Sequence, residues 1–311
     1  MIQGFWENLS RPIIGLAPMD GVTDAAFRYI TAKYGKPDLV VTEFTSVEGI
    51  RAGAERLLDD FLYSPLERPI LAQLFGSDPQ AFFMAAAVVA ALGFDGVDIN
   101  MGCPAKNVTQ KGAGAALILD PYRAKEIVLQ TKAGITAWVN GCSLEELGVP
   151  EAIVIKINER RAVLGLNDEV RRQLPVSIKT RMGYAKIQVE EWIPHLLEVE
   201  PVAITLHGRT LQQLYTGQAD WEAIKKAALI IHSTNTVSLG NGDVEDLADA
   251  HTKIEQSGVD GVLVGRASFG NPWLFQNSTA SMQERLEVAL EHARYLHSLI
   301  PGKGFIRVRN I

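Results

Sequence analysis

The chain has 311 residues, 47% of them hydrophobic and 21% charged, a balance that excludes wholesale disorder and leaves room for one large α/β barrel. A formal net charge of −6 excludes a protein that coats nucleic acid non-specifically, although a local basic patch is compatible with it. Two cysteines, Cys103 and Cys142, exclude a disulfide framework or a cysteine-rich metal site and fit a reducing, cytoplasmic setting.

In chain order, short apolar runs alternate with helix-like stretches, and Gly and Pro punctuate the joins. Strands are expected at 13–17, 39–43, 70–74, 96–100, 176–180, 202–206, 237–240 and 261–264. Helices are expected at 24–34, 79–92, 121–132, 189–199, 221–231 and 244–256. Near-continuous apolar strands suit a parallel sheet buried on both faces, and the repeat is that of a (β/α)8 TIM barrel. An apolar run at 229–232 competes for the seventh strand but would leave a long loop before Gly240, so 237–240 is preferred.

Two segments fall outside the repeat. Residues 134–174 are far too long for an ordinary connection and read as a surface excursion with short helices of its own. Apolar residues at helical spacing (Leu286, Ala289, Leu290, Ala293, Leu296) start a helical appendage near residue 277. The barrel is thus expected over 1–276 and the appendage over 277–311, where the chain stops in mid-element as though truncated. The longest nearly apolar run, 81–94, is too short to cross a bilayer, and residues 1–12 lack a leader pattern. No membrane contact or metal site is expected, and the chain is expected to act as a monomer.

A barrel's active site lies where its strands end. Glu43, Gln73, Asn100, Lys179, Arg181, His207, Arg209, Asn241 and Arg266 all stand at or just past such ends. Burying so many polar groups without a ligand would carry a large desolvation cost. Gly240-Asn241-Gly242-Asp243 and Gly265-Arg266-Ala267 follow the last two strands, where loops commonly build a phosphate site from backbone N–H groups; two ordinary glycine turns are the alternative. A lysine at position 179 suits a ring that gains negative charge, or else pairs with Glu43 or Asp98. Gln73 can donate and accept, and Pro18 and Met19 could seat a ring or simply pack in the core. Cys103 sits in Asn100-Met101-Gly102-Cys103-Pro104 on the loop after the fourth strand, where a thiol could supply a proton; Cys142 has no such setting.

These blocks resemble one family. Leu16-Ala17-Pro18-Met19-Asp20-Gly21-Val22-Thr23-Asp24 is similar to the opening motif of the tRNA-dihydrouridine synthases. Asn100-Met101-Gly102-Cys103-Pro104-Ala105-Lys106-Asn107-Val108, running on through Lys111-Gly112-Ala113-Gly114-Ala115, resembles their catalytic-loop signature. Ala72–Gly76, Ile178–Gly183, Leu206–Thr210, Gly240–Asp243 and Val264–Ala267 match the other blocks in order, so the likeness spans about 13–275 without the excursion.

The resemblance implies an FMN-dependent enzyme that reduces the C5=C6 bond of particular uridines in tRNA, with NADPH or NADH as reductant. A hydride would pass from flavin N5 to C6, and Cys103 would protonate C5. Ala17, Pro18, Met19, Gln73, Lys179, His207, Asn241, Gly242, Asp243, Gly265 and Arg266 would hold FMN, while Asn100, Lys106 and Arg181 would face the uracil or nearby tRNA. A uridine in folded tRNA must leave its stack to reach such a mouth. Residues 277–311 would begin the helical tRNA-binding domain, with Phe305-Ile306-Arg307-Val308-Arg309 resembling its basic helix. Three alternatives are a flavin oxidoreductase acting on a small pyrimidine, similar to dihydroorotate dehydrogenases, an inactive RNA-binding barrel, and a non-redox phosphate-binding enzyme.

Overall fold

The computed structural model describes residues 4–167 and 170–299. Eight parallel strands close into one barrel in chain order: β1 (Ile13–Leu16), β2 (Val40–Ser46), β3 (Ile70–Phe75), β4 (Gly96–Met101), β5 (Val176–Arg181), β6 (Ala203–His207), β7 (Val237–Asn241) and β8 (Gly261–Val264). The strands are legible in the sequence because their residues are buried on both faces. One set packs inward with Trp6, which lies 2% exposed below the strand starts, and the other packs against the helices.

Helices α1 (Ala25–Gly35), α2 (Val47–Arg51), α3 (Pro79–Ala91), α4 (Lys106–Thr109), α5 (Pro121–Val139), α6 (Glu151–Val163), α7 (Val189–Leu197), α8 (Trp221–Ile231), α9 (Leu247–Ser257) and α10 (Met282–Leu299) surround the barrel. Aspartates start several of them: the side chains of Asp24, Asp78, Asp120, Asp220 and Asp246 accept N–H groups of the first turns of α1, α3, α5, α8 and α9. Between β2 and β3 a short helix and two tight turns replace a full crossover helix. The run at 229–232 belongs to the end of α8, so the seventh strand lies where it was expected.

Three differences from the expected elements have clear causes. Helix α5 runs on to Val139, past the point where Gly134 read as a break. Gly134 is there because α5 crosses α3 so closely that a Cβ would stand 1.9 Å from the Phe83 carbonyl oxygen. The excursion contains a helix, α6, whose Ile153, Val154 and Ile157 are buried. Its face toward α3 and the turn Glu55–Phe61 explains those apolar positions. Helix α10 docks on α1 through Val288, His292 and Leu296, whereas Leu286 and Leu290 of the expected stripe are exposed. Tyr29 stacks on Tyr295 at 4.0 Å, and Lys33 and Tyr34 both donate to Glu291, so this seam is largely aromatic and polar. Phe305–Arg309 lie outside the described residues.

The described part of the excursion sits away from the barrel mouth. Arg160 donates to the Tyr63 carbonyl and Arg161 to that of Ala91, both in segments that lead into strand starts. Arg171 donates to the carbonyls of Trp138 and Cys142 and lies 3.8 Å from the Trp138 ring centroid.

Candidate active site

Strand register assembles the floor of the mouth. Gln73 lies beside Asp98, Asp98 beside Ser177, and Asn100 beside Lys179. Gln73, fully buried, donates from Nε2 to Asp98 Oδ2 at 2.6 Å. Its Oε1 accepts Asn100 Nδ2 at 2.9 Å, and Ser177 Oγ donates to Asp98 Oδ1 at 2.6 Å. Burial pushes the Asp98 carboxyl above the usual carboxylate range, against the pull of its bonds to Gln73 and Ser177.

Asn100 turns this network toward the loop above β4. Its Oδ1 accepts the N–H of Gly102 at 3.1 Å and of Cys103 at 2.8 Å. From the far side the Ala115 N–H donates to the Cys103 carbonyl at 3.0 Å. Gly114 makes that approach possible: it has φ +59°, and a Cβ would lie 2.7 Å from the Cys103 oxygen. The Cys103 thiol is half-buried. Burial raises it above its ordinary value; a hydrogen bond from Ala105 N–H and the charges of Arg181 and Lys179 pull the other way, while Asp20 pushes it up further. The balance keeps a neutral thiol, an available acid, near neutral pH.

The next two strands bring positive charge and a neutral ring. Lys179 makes no hydrogen bond or ion pair among the described residues; Asp98, a candidate partner, is taken by Gln73 and Ser177. Burial, then the Arg181 charge, lowers Lys179 to about 8. Arg181 is buried and fastens two loops. Its Nε donates to Gly102 O at 2.8 Å, and its Nη1 donates to Thr210 O and Leu214 O at 2.9 Å each. Among the described residues its Nη2 makes no such bond. His207, beside Arg181 in register, is held to about 2 by burial and then by Lys179, Arg181, Arg209 and Arg266. The ring is therefore neutral, and its buried Nδ1 has no partner among the described residues.

Past β7 and β8 the loops form a cradle. The N–H groups of Gly242, Asp243, Gly265 and Arg266 donate no hydrogen bond among the described residues. Asp243 Oδ2 accepts Arg209 Nη2 at 2.6 Å and Ala219 N–H at 2.7 Å, and its Oδ1 accepts Arg266 Nη2 at 2.6 Å. Burial alone would raise Asp243, but these partners hold its carboxyl below the usual range. Asn241 braces β8 by donating to the Leu263 carbonyl at 2.8 Å. Arg209 is buried and its Nη1 has no partner among the described residues. A Cβ on Gly265 would meet Met19 Sδ at 3.2 Å and Ala17 at 3.8 Å, so β1 and β8 share one wall with Pro18 at its rim. Lys106 is exposed at the start of α4, at the edge of the mouth.

Free N–H groups, a guanidinium at the rim, an unpaired ammonium and an orphaned ring nitrogen form a donor set that fits a phosphate carrying a polar ring. Among the described residues, no cluster of His, Cys, Asp and Glu is placed to hold a metal ion.

A family model described as Dihydrouridine synthase (Dus) matches residues 15–139 and 160–305. The chain belongs to the dihydrouridine synthase family. It is 33% identical over 281 residues to a probable tRNA-dihydrouridine synthase of Staphylococcus aureus (strain COL), covering 89% of this chain and 74% of that relative. Probable tRNA-dihydrouridine synthase 2 of Bacillus subtilis (strain 168) is 32% identical over 299 residues, covering 94% of this chain and 80% of its own length. The crystal structure of DHODH from Eimeria tenella in complex with ferulenol shares the fold, with a TM-score of 0.52, 14% identity, and coverage of 92% of this chain and 85% of that one.

The family match leaves out 140–159, about half of the excursion. Two residues of this synthase-family site, Asp98 and Ser177, had no site role in the sequence, where Asp98 entered only as a possible partner of Lys179; Arg209 was named there as a strand-end polar group without a role of its own. The alternation of side chains along a strand would have found the first two, because Asp98 shares a face with Asn100, and Ser177 with Lys179 and Arg181.

Proposed function

We propose that the protein is an FMN-dependent tRNA-dihydrouridine synthase, acting as a monomer in the cytoplasm with NADPH or NADH as reductant. The observation that carries this reading is the Cys103 thiol on a β4 loop anchored by Asn100, at the same mouth as Lys179, which makes no hydrogen bond or ion pair among the described residues.

FMN, when bound, supplies the hydride that uracil C6 receives. The N–H groups of Gly242, Asp243, Gly265 and Arg266, with the Arg266 guanidinium, would hold its phosphate. The Asp243 carboxylate serves that phosphate indirectly, by fixing Arg209 and Arg266. Lys179 and the neutral His207 ring would meet the polar edge of the flavin, and Ala17, Pro18 and Met19 would seat its face. Gln73 has one amide N–H left for the same edge, and Asn241 holds the cradle in place.

Cys103 gives its proton to C5 as C6 takes the hydride, so the uracil gains two hydrogens and a thiolate remains. Lys179 and Arg181 favour that thiolate, and solvent returns its proton. Asn100, Arg181 through Nη2, and Lys106 at the rim would face the substrate side. The uridine enters by extrusion from its stack. The segment from residue 277 onward, including α10, would begin the unit that grips tRNA.

Incubation of the full chain with FMN, NADPH and unmodified tRNA tests this reading. Mass spectrometry of the nucleosides should find uridines that have gained two hydrogens. Turnover of a free pyrimidine with unmodified tRNA left unchanged would overturn it.

A further inference from the structure

The buried network under the Cys103 loop has a direction. The Gly102 and Cys103 N–H groups can only donate, so Asn100 must present Oδ1 to them and Nδ2 to Gln73. Gln73 must then accept on Oε1, which leaves Nε2 pointing at Asp98. Asp98 must accept there, and Ser177 Oγ supplies its other oxygen with a donor. Every amide orientation is thus fixed by its neighbour, from backbone N–H groups at one end to a carboxylate at the other.

We infer that Asp98 is a positioning residue that, as the terminal acceptor, completes through Gln73 and Asn100 a one-way hydrogen-bond relay holding the Cys103 loop in place. Its catalytic meaning rests on Cys103 being the acid of the proposed reaction; the relay itself does not.

A substitution cycle follows from the polarity. Asp98→Asn alone can keep the relay: its Oδ1 still accepts from Gln73, and its Nδ2 can donate to Ser177, whose hydroxyl can turn to accept. Asn100→Asp alone breaks it. Asp at position 100 still accepts from Gly102 and Cys103 but offers no donor to Gln73. If Gln73 flips to donate, its oxygen faces Asp98, acceptor against acceptor. Adding Asp98→Asn cures this, since Asn there donates to the flipped Gln73 and still accepts from Ser177. The relay then runs in the reverse sense with every partner satisfied. Contributions independent of one another would instead add, leaving the pair at least as damaging as the worse single change.

The test uses the full chain with Cys142→Ser, so that Cys103 is the one thiol read, at mildly alkaline pH. Iodoacetamide alkylation of Cys103 and the melting temperature are measured for Asp98→Asn, Asn100→Asp and the double variant. Asn100→Asp should alkylate about tenfold faster, as a loop released from its anchor opens more often, and should melt lower. The double variant should return to within about threefold of the parent and recover its melting temperature. If Asn100→Asp does not fold, recovery of folded double variant supports the relay equally. A double variant as impaired as Asn100→Asp, or an Asn100→Asp that behaves like the parent, overturns the relay. Because alkylation and melting need neither flavin nor tRNA, a parent protein inactive on tRNA overturns the proposed function and leaves this cycle readable.

Discussion

Asp243 grips Arg209 at 2.6 Å with one carboxylate oxygen while the other holds Arg266 at the same distance, so one side chain on the β7 loop fixes cations from β6 and β8. The two partners differ in surroundings: the Arg209 side chain is 3% exposed and that of Arg266 63%. The first pair should therefore hold the fold and the second a ligand. Asp243→Asn leaves a buried guanidinium short of its counter-charge, which costs about 3 kcal/mol and should lower the melting temperature by at least about 6 °C. Arg266→Ala should melt like the parent but bind FMN about tenfold more weakly, as loss of one charge-assisted bond to phosphate would give. Thermal unfolding and flavin fluorescence titration separate the two, and equal effects in both assays would remove the division of labour.

Cys103→Ala should bind FMN as the parent does, because the thiol is on the loop facing the ring's partner and not in the phosphate cradle. Its dihydrouridine synthesis should fall by about two to four orders of magnitude, the usual range for losing a general acid. Full activity in this variant would end the acid assignment.

Lys179 gives a pH signature. Its folded value of about 8 lies below the ordinary 10.5, so between those values the unfolded chain carries a proton that the folded chain lacks. Across that window its contribution to stability rises with pH. A ligand that gains negative charge at Nζ reverses the preference and takes up a proton on binding. Affinity for FMN should then weaken above pH 8 by up to about tenfold per pH unit, and Lys179→Met should bind weakly at neutral pH with a flattened profile. Calorimetry in buffers of different ionisation enthalpy reads the proton directly; absence of uptake above pH 8 in the parent would contradict the contact.

How much of this was readable without coordinates depends on the range of each cause. Strands such as Ile70–Phe75 announce themselves because burial on both faces demands a continuous apolar run, and Asn241 or His207 stood out as polar residues ending such runs. The pairing of Gln73 with Asp98 and of Asp98 with Ser177 depends on the relative shift of three strands, which no single segment encodes. Lys179 showed a cation in the sequence, but that it stays unpaired follows only once Asp98 is seen to be occupied by others. Gly134 misled for a related reason: its lack of a side chain serves a helix crossing rather than a helix end.

The glycines of the Cys103 loop separate packing from backbone strain. Gly112 and Gly114 have φ of +73° and +59°, so an L side chain is strained at either, by about 1 kcal/mol. A Cβ at position 112 would find only Ser77 at 3.9 Å, whereas at 114 it would strike the Cys103 oxygen and Val108 at 2.7 and 2.9 Å. Gly112→Ala should lower the melting temperature by a few degrees and leave turnover within about threefold. Gly114→Ala should cost more in stability and also reduce turnover on tRNA by at least tenfold, since a displaced loop carries the acid with it. Similar turnover in the two variants would show that the Gly114 contact does not place Cys103.

Arg171 tests whether the excursion serves the fold or the mouth. Its guanidinium caps the carbonyls of Trp138 and Cys142 and stacks 3.8 Å from the indole of Trp138, tying the segment before β5 to the end of α5. All of these partners lie on the outer wall, and neighbouring Arg160 and Arg161 reach carbonyls near the strand starts, opposite the reactive end. Two hydrogen bonds from a charged donor and a cation–π contact together stabilise by about 2–4 kcal/mol. Arg171→Ala should therefore lower the melting temperature by about 4–8 °C. Because none of the lost contacts reaches Cys103, Lys179 or the phosphate cradle, kcat/KM on tRNA measured well below the melting temperature should stay within about twofold of the parent. A selective rise in KM for tRNA with stability intact would instead place the excursion on the path of the substrate.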